Sequence, residues 1–259
     1  MNTTIGILIP FIGTMLGAAC VFTMKKDIKD SINRVLLGFA AGVMIAASVW
    51  SLIIPAIDMS SSMGRLAFTP SAIGVLVGIV FMLSIDKIIP HLYDNSSKSQ
   101  VMRNHRIRKT FMLIFAVVLH NIPEGMAVGI AFAGAINQGN IITLAAAFAL
   151  SIGIAIQNFP EGAIISLPLR SEGVSRSKAF LYGASSGIVE PIAAGITILF
   201  AHFIHPLIPY LLSFAAGAMI FVVVRELIPE SVVGEHSNIG TVAFAMGFVV
   251  MMILDVALG

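Results

Sequence analysis

The sequence places an unusual seven-residue stretch inside a long apolar run: LHNIPEG, residues 119–125. The chain nearly repeats it 37 residues later, again inside an apolar run, as IQNFPEG at residues 156–162. Residues three or four apart share one face of a helix, so each motif is expected to present three polar side chains together. They are His120, Asn121 and Glu124 in the first motif and Gln157, Asn158 and Glu161 in the second.

Each motif also contains a proline, Pro123 or Pro160, which cannot donate a backbone hydrogen bond. The carbonyl four residues earlier, of Leu119 or Ile156, loses its helical partner, and the helix is expected to kink there. Two kinked helices that carry nitrogen and oxygen ligand atoms into an apolar environment favour a divalent cation site.

The composition is that of a polytopic helical membrane protein. The 259 residues are 58% hydrophobic and only 11% charged, against about 25% charged in soluble domains. Apolar runs of 18 or more residues recur along the chain. The net charge of +2 is small and no Lys/Arg cluster is interleaved with aromatic residues, which argues against nucleic acid as a partner. The single cysteine, Cys20, excludes an internal disulfide framework and a thiolate metal cage.

Eight membrane spans are predicted, and they make residues 1–259 a single transmembrane domain. The spans are 5–23, 35–54, 70–89, 110–136, 141–168, 178–203, 209–228 and 239–258. All of the 15 Lys and Arg residues except Arg65 lie in or beside the odd-numbered loops. Because basic loops stay in the cytoplasm, both termini are expected on the extracytoplasmic side.

A second internal similarity links spans 2 and 7, where LLGFAAGVMI (36–45) resembles LLSFAAGAMI (211–220). In the predicted topology spans 2 and 7 run in opposite directions, as do spans 4 and 5. Matching segments of opposite direction predict an inverted repeat, in the order 3+2+3, with a site at the midplane. The expected fold class is therefore all-α: a polytopic membrane protein of eight transmembrane helices whose kinked helices 4 and 5 carry the metal site.

Three acidic residues lie deep in predicted spans: Glu124, Glu161 and Glu190. An ionised acid at that depth costs at least ~2.5–3.5 kcal/mol on insertion scales, and no lysine or arginine lies at comparable depth. Bound cations or protons stabilise such acids at least cost.

The candidate ligands combine an imidazole, carboxylates and amide oxygens without a thiolate, which suits Zn²⁺, Fe²⁺, Mn²⁺ or Cd²⁺ and argues against Cu⁺. The candidate metal-binding residues are His120, Asn121, Glu124, Gln157, Asn158, Glu161, Glu190 and, for its place in the second similarity, Met44. Two groups that share Glu124 and Glu161 could hold two ions, and charge alone does not choose between one ion and two. The groups are His120 with Gln157, and Asn121 with Asn158 and Glu190.

Charged residues near the ends of the spans are candidates for the route of the ion. Asp58 and Asp255 lie near the outer ends and could attract cations toward an entrance. Asp86, His91 and Glu226 lie near the inner ends and are candidates for an exit.

The paired motifs, together with Glu190 in span 6, resemble those of the ZIP (Zrt/Irt-like protein) family of metal-ion transporters, in its bacterial GufA-type branch. The resemblance covers essentially the whole chain. It implies uptake of Zn²⁺ and related divalent ions into the cytoplasm across the inner (plasma) membrane, through a site between spans 4 and 5 that is often binuclear. It also implies an elevator-like motion of spans 1, 4, 5 and 6 against spans 2, 3, 7 and 8, and a homodimer.

This sequence departs from that family pattern at two positions. Many relatives carry a second histidine where Gln157 stands, and an amide oxygen is a poorer Zn²⁺ ligand than imidazole. Some relatives carry an acid where Asn158 stands, which weakens the second metal position. The departure at Gln157 argues against a tight preference for Zn²⁺.

Two other function classes make different demands on the sequence. A cation exchanger with obligatory counter-ion flux is the alternative, and it has no special need for the imidazole of His120. An intramembrane metal enzyme is disfavoured because the sequence has neither a His-Glu-x-x-His signature nor a Glu-x-x-His pair of the di-iron type. The chain is accordingly expected not to be an enzyme.

Overall fold

The computed structural model describes residues 2–23, 30–95, 105–136, 142–171, 173–232 and 238–258. Every regular element in these ranges is a helix, and two elements, named π1 and π2 here, are π-helical. The α-helices and π segments are α1 (Asn2–Thr23), α2 (Asp30–Ala47), π1 (Ser48–Ile53), α3 (Ile54–Met59), α4 (Phe68–Asn95), α5 (His105–Ile136), α6 (Leu144–Ser171), α7 (Arg176–Ser186), α8 (Val189–Ile204), α9 (Ile208–Val222), π2 (Val223–Leu227), α10 (Ile228–Ser231) and α11 (Ile239–Leu258). Short 3₁₀ turns at Ser61–Leu66 and His205–Leu207 complete the list.

Among the described residues, seven helical segments are long and apolar enough to cross a membrane. The predicted span 110–136 lies in α5, whose described apolar part, Asn121–Ile136, is shorter. The prediction of an all-helical, multi-pass membrane protein is confirmed. Both α5 and α6 continue as helices through Pro123 and Pro160.

The predicted sixth span, 178–203, is divided into two helices. Helix α7 ends at Ser186 and α8 begins at Val189. The amide of Glu190 donates to the carbonyl of Gly187 at 3.1 Å, across the break. The division places Glu190 in the first turn of α8, where the positive end of the helix dipole favours a negative charge.

The similar segments in spans 2 and 7 share a second feature that the sequence did not predict. Each changes from α-helix to a π segment, π1 or π2, and each π segment is followed by an Ile-Pro pair that opens the next helix. Short π-helical turns are rare and occur mainly at functional sites. The two π segments lie at equivalent positions, shortly after the two similar segments.

Glycines let several helices touch backbone to backbone. Gly17 of α1 faces the carbonyl of Phe159 in α6, and Gly125 of α5 faces the carbonyl of Glu190 in α8, with no room for a Cβ at either position. The same holds where α2 meets α11 and where α4 meets α9. Close helix packing of this kind is typical of membrane proteins.

The fraction of buried residues distinguishes one central helix from the peripheral helices. In the most apolar stretch of α6, 67% of the residues are buried, against 28% in α4 and 22% in α11. Large apolar side chains on the outer helices are exposed, including Leu76 (63%), Leu199 (76%) and Val256 (72%). Such a broad apolar surface suits contact with lipid, and α6 lies at the centre.

Candidate metal centre

A cluster of polar side chains lies in the apolar interior, where α5, α6 and α8 meet. The side chains of Asn121, Glu124, Gln157 and Asn158 are fully buried, and those of Glu190 (1%) and Glu161 (8%) are nearly so. Polar groups buried at this depth are costly unless they are hydrogen-bonded or neutralised. The two sequence motifs therefore meet in space, as their pattern predicted.

The first link between the motifs is a hydrogen bond between an amide and a carboxylate. Gln157 donates from Nε2 to Oε1 of Glu124 at 2.6 Å. The other oxygens of these two side chains, Gln157 Oε1 and Glu124 Oε2, are buried and accept no hydrogen bond from any described residue.

Glu190 is held by donors from three other helices. Its Oε1 accepts from Asn121 Nδ2 of α5 at 3.1 Å and from Thr14 Oγ1 of α1 at 3.3 Å. Its Oε2 accepts from Asn158 Nδ2 of α6 at 2.7 Å. One carboxylate thus ties together α1, α5, α6 and α8.

The same two asparagines also bind backbone carbonyls. Asn121 Nδ2 donates to Ser186 O at 3.1 Å, and Asn158 Nδ2 donates to Pro10 O at 3.4 Å. Ser186 is the last residue of α7, and the final carbonyls of a helix lack a partner within it. Asn121 of the first motif therefore supplies the hydrogen-bond donor for the carbonyl at the end of α7.

Five buried oxygens in the cluster have no hydrogen-bond donor among the described residues: Oδ1 of Asn121, Oε2 of Glu124, Oε1 of Gln157, Oδ1 of Asn158 and Oε2 of Glu161. All five are acceptors. A buried acceptor without a donor loses about 1–3 kcal/mol relative to water, and native interiors contain few of them. Carboxylate and amide oxygens are ligands for divalent cations, so a cation would satisfy the whole set.

The carboxylates of the cluster also act on one another. Glu124 lies within electrostatic range of Glu161 and Glu190, and Glu161 lies within range of Glu226 in π2. Repulsion between like charges is strong in a low-dielectric interior. A positive ion among them would remove that repulsion.

Carboxylates alone do not complete a metal site in the described part of the chain. Among the side chains that the structure describes, no three of the types His, Cys, Asp and Glu converge closely enough to hold one ion. The side chain of His120 lies outside the described part. A site built from the described residues would therefore combine carboxylate with amide oxygens.

Of the other predicted residues, two are described with their side chains and two only by the helix to which they belong. Met44 is buried in the main hydrophobic core together with Met219, its counterpart in span 7. Asp86 and His91 belong to α4, but their side chains lie outside the described part. Glu226 lies in π2 and is half-buried.

The two predicted entrance residues come together at a cavity. Asp58 and Asp255 both line a cavity of about 270 Å³, with Trp50, Ser51 and Thr143 among its other residues. Ser51 donates from Oγ to Asp255 Oδ1 at 2.5 Å, and Asp255 Oδ2 is buried without a partner in the described ranges.

Sequence reasoning missed Thr14, which is fully buried and bonded to Glu190. A signal was present, because Thr14 is the only polar side chain in the middle of the first apolar run. The motif spacing concerned spans 4 and 5 alone and could not reveal a partner in span 1.

The fold and the cluster define a helical, multi-pass membrane protein with buried acceptor groups at its centre. A family model described as ZIP zinc transporter matches residues 95–255. The chain is 36% identical to zinc transporter ZIP11 of Xenopus tropicalis, over 100% of this chain and 98% of that protein. It is 36% identical to zinc transporter ZIPB of Bordetella bronchiseptica, over 96% of this chain and 79% of the relative. Zinc transporter GufA of Myxococcus xanthus is 32% identical, over 86% of each chain.

The chain belongs to the ZIP family of zinc transporters. The similarity to GufA and ZIPB confirms the resemblance to the GufA-type bacterial branch.

Proposed function

We propose that this protein carries divalent metal ions, foremost Zn²⁺ and also Cd²⁺, Fe²⁺ and Mn²⁺, across the inner (plasma) membrane into the cytoplasm. The observation that carries the proposal is the set of five buried acceptor oxygens, where α5 and α6 meet, that find no donor in the part of the chain that the structure describes. The relatives are named as zinc transporters, which supports zinc as the substrate.

The proposed ligands are the oxygens of Glu124, Glu161 and Gln157 that lack a donor among the described residues, together with His120, which precedes Glu124 by one helical turn in the sequence. The amide oxygens of Asn121 and Asn158 are further acceptors, and both residues belong to the second predicted group of ligands. Two carboxylates balance the charge of one divalent ion. A second ion, as in the binuclear arrangement, would need the amide oxygens and a further charge.

The proposed route of the ion passes through this cluster from the outer cavity. Asp58 and Asp255 draw cations to the outer cavity, and the buried Asp255 Oδ2 supplies a free acceptor there. On the inner side, Glu226 lies within electrostatic range of Glu161 and can receive the ion from it. Asp86 and His91 remain further exit candidates.

The proposed topology has eight spans, both termini outside the cytoplasm, and an inverted repeat. Matching contacts in the two halves support the repeat. Asn121 binds the carbonyl of Ser186, four residues before Glu190, and Asn158 binds the carbonyl of Pro10, four residues before Thr14. Span 1 therefore contacts the second motif in the same way as span 6 contacts the first.

The motif glycines show the same correspondence. Gly125 packs against the carbonyl of Glu190, and Gly162 packs against the carbonyl of Thr14. Thr14 and Glu190 are thus equivalent positions of the proposed repeat, one bearing a hydroxyl and the other a carboxylate.

The proposed motion is an elevator in which spans 1, 4, 5 and 6 slide against spans 2, 3, 7 and 8, within a homodimer. Glycine contacts support this grouping. In the described residues, the glycines that face a backbone carbonyl of another span do so within one group, as Gly17 does with Phe159 and Gly42 with Phe244. Gly153 instead meets, across the two groups, the flexible side chain of Met251.

Uptake by proteoliposomes tests the proposed function. Radiotracer flux of Zn²⁺, Cd²⁺, Fe²⁺ and Mn²⁺ is measured with and without a pH gradient, for the wild type and for the double variant Glu124→Gln/Glu161→Gln. The wild type is expected to transport, and the double variant is expected to show only the flux of empty vesicles. Asp30→Asn, at an exposed acid in the first turn of α2, is the control and should transport normally.

Undiminished flux in the double variant would contradict the proposal. Flux that required a counter-ion, and that survived His120→Ala without loss of affinity, would favour the cation exchanger instead.

A further inference from the structure

A groove of about 590 Å³ lies between α1, α2 and α6. Every described residue of its wall is apolar or glycine. The wall includes Ile12 and Leu16 of α1, Val35 of α2 and Phe159 of α6, and the side chains of these four residues are 49%, 58%, 40% and 38% exposed. The groove therefore opens at the surface of the described helices.

The groove lies at the depth of the membrane core. Its residues belong to three of the segments that are long and apolar enough to cross a membrane, those that contain α1, α2 and α6. On α6 the wall includes Phe159 and Pro160, which lie in the chain between Asn158 and Glu161 of the buried cluster. Because hydrocarbon surrounds the helices at this depth, a molecule that fills the groove must itself be apolar there.

The size of the groove suits a lipid chain better than a helix. A helix is about 10–12 Å wide with its side chains, so three turns of it occupy roughly 1,500 Å³. The groove offers about 590 Å³, within the range of about 300–1,000 Å³ that is typical of small-molecule sites. A narrow, flexible acyl chain can fill this space, whereas a helix from a second copy could only lie across its opening.

The groove also lies between the two groups of helices in the proposed elevator. Helices α1 and α6 belong to the sliding group, and Gly13 of α1 faces the carbonyl of Ala155 in α6 with no room for a Cβ. These two helices therefore form one closely packed wall, and α2, of the static group, forms the other. A rigid helix seated against both walls would hold the two groups together. A flexible chain can change shape as they slide.

A basic residue lies at the inner end of the groove. Arg34 precedes Val35 in α2 and is partly exposed, and long side chains on a helix point back toward its N-terminus. In the proposed topology the N-terminus of α2 lies at the cytoplasmic surface, where the leaflet contains anionic lipids. The guanidinium of Arg34 is therefore expected to reach a lipid phosphate, which it can bind through two parallel hydrogen bonds. Asp30, one turn earlier in α2, is the nearest acid in the chain.

We propose that this groove is a lipid site, in which one acyl chain of an anionic phospholipid of the inner leaflet lies with its phosphate at Arg34. This inference rests on the proposed function, from which the topology and the sliding group are taken. A chain that moves from the bilayer into an apolar groove gains little hydrophobic free energy, because both surroundings are apolar. Close packing and the phosphate contact hold it. The lipid therefore exchanges readily and fills the space between the two groups of helices while they slide.

The first test counts lipids bound to the purified full-length protein by native mass spectrometry, after a detergent wash and addition of phosphatidylglycerol. The wild type is expected to retain one phospholipid per chain. Val35→Trp and Ile12→Trp fill the groove from two different walls, and both should lose that lipid. The matched controls are Val242→Trp and Ile253→Trp, at residues of α11 that are 60% and 55% exposed and lie outside the groove. Both controls should retain it.

The second test supplies phosphatidylglycerol and phosphatidylcholine in equal amounts. The wild type should prefer the anionic lipid, and Arg34→Gln should reduce that preference about 5-fold, the contribution of one basic residue near an anionic surface. Arg65→Gln, at an exposed basic residue outside the groove, is the control and should leave the preference unchanged. A wild type that retains both lipids equally would contradict the phosphate contact.

The third test compares Zn²⁺ uptake by proteoliposomes with Zn²⁺ affinity measured by calorimetry. Val35→Trp should slow turnover because it replaces a mobile chain with a fixed side chain. It should leave the affinity unchanged, since Val35 is not part of the buried cluster. Val242→Trp should change neither quantity. Wild-type turnover in both groove-filling variants would show that the lipid has no part in the motion.

Three results would overturn the inference while leaving the proposed function intact. They are retention of the lipid by both groove-filling variants, a retained mass that matches a free fatty acid, and dimers that dissociate in both variants, which would identify a second copy as the occupant. A wild type that retains the lipid but transports no metal would instead count against the proposed function.

Discussion

The inner cluster and the outer cavity both place acids in membrane helices, but the acids of the two regions differ in how far they are exposed. In the cluster, Glu124 is fully buried and shares a hydrogen bond with an amide whose own oxygen is left free. At the outer cavity, Asp58 is exposed and Asp255 is half-buried; Ser51 donates to Asp255 Oδ1, and Oδ2 has no partner among the described residues. A dry site with free acceptors is suited to hold an ion stripped of water. An open acidic cavity attracts hydrated ions and releases them quickly.

The largest expected effect is at the inner cluster. Glu124→Gln removes a charge and replaces a free acceptor with a group that also donates, so Zn²⁺ binding should weaken by at least about 100-fold, as when one partner of a buried ion pair is lost. Glu161→Gln should do the same. Calorimetry on the purified protein measures this directly. Near-normal affinity in both variants would mean that the cluster is not where the ion rests.

The second-largest expected effect is that of low pH on metal affinity at the inner cluster. Its proposed ligands bind metal only when deprotonated, so binding releases protons and affinity falls as the pH is lowered, by about tenfold per pH unit for each proton released. Calorimetry in two buffers of different ionisation enthalpy counts those protons. A pH-independent affinity would show that imidazole and carboxylate are not both ligands, and Asp255→Asn should leave the proton count unchanged.

An intermediate effect is expected at the amide that replaces a histidine in many relatives. Gln157→His would exchange an amide oxygen for an imidazole, the better Zn²⁺ ligand, and should raise the preference for Zn²⁺ over Mn²⁺ about 10-fold. Competition between the two ions in proteoliposome uptake measures the ratio. If the ratio stays at the wild-type value, the oxygen of Gln157 does not face the ion.

The smallest expected effect is at the outer cavity. Asp255→Asn should slow uptake about 2–5-fold at low metal concentration, and the slowing should fade at high salt because the acid acts by attraction over a distance. The equilibrium affinity of the inner site should not change. Ser51→Ala separates the charge of Asp255 from its hydrogen bond. Loss of equilibrium binding in Asp255→Asn would remove the distinction between the two regions.

The inner cluster could largely be predicted from the sequence, because its pattern is local. Residues three or four apart lie on one face of a helix, so the spacing predicts which polar side chains lie together. Acids without basic partners in an apolar run indicate a binding site, whatever helices the run packs against. The contact between Gln157 and Glu124 and the approach of Glu190 to both motifs follow that logic.

The breaks in regular helix could not be predicted in the same way. The run from Gly183 to Gly187 is poor in strong helix formers. However, the carbonyl of Ser186, at the end of α7, accepts a hydrogen bond from Asn121 of another helix, and the local sequence does not reveal that contact. The π segments could not be predicted either, although the Ile-Pro pair that follows each of them is visible in the sequence of both spans. Thr14 needed the same three-dimensional information.

The contact of Gly153 with Met251 has a consequence for engineering. In the proposed elevator it lies on the seam between the moving and the static helices, and a thioether chain can adapt where an interlocked backbone cannot. Replacing Met251 with stiffer or bulkier residues should change how fast the protein cycles while leaving untouched the groups that choose the metal. Turnover and selectivity could then be tuned by separate sets of mutations.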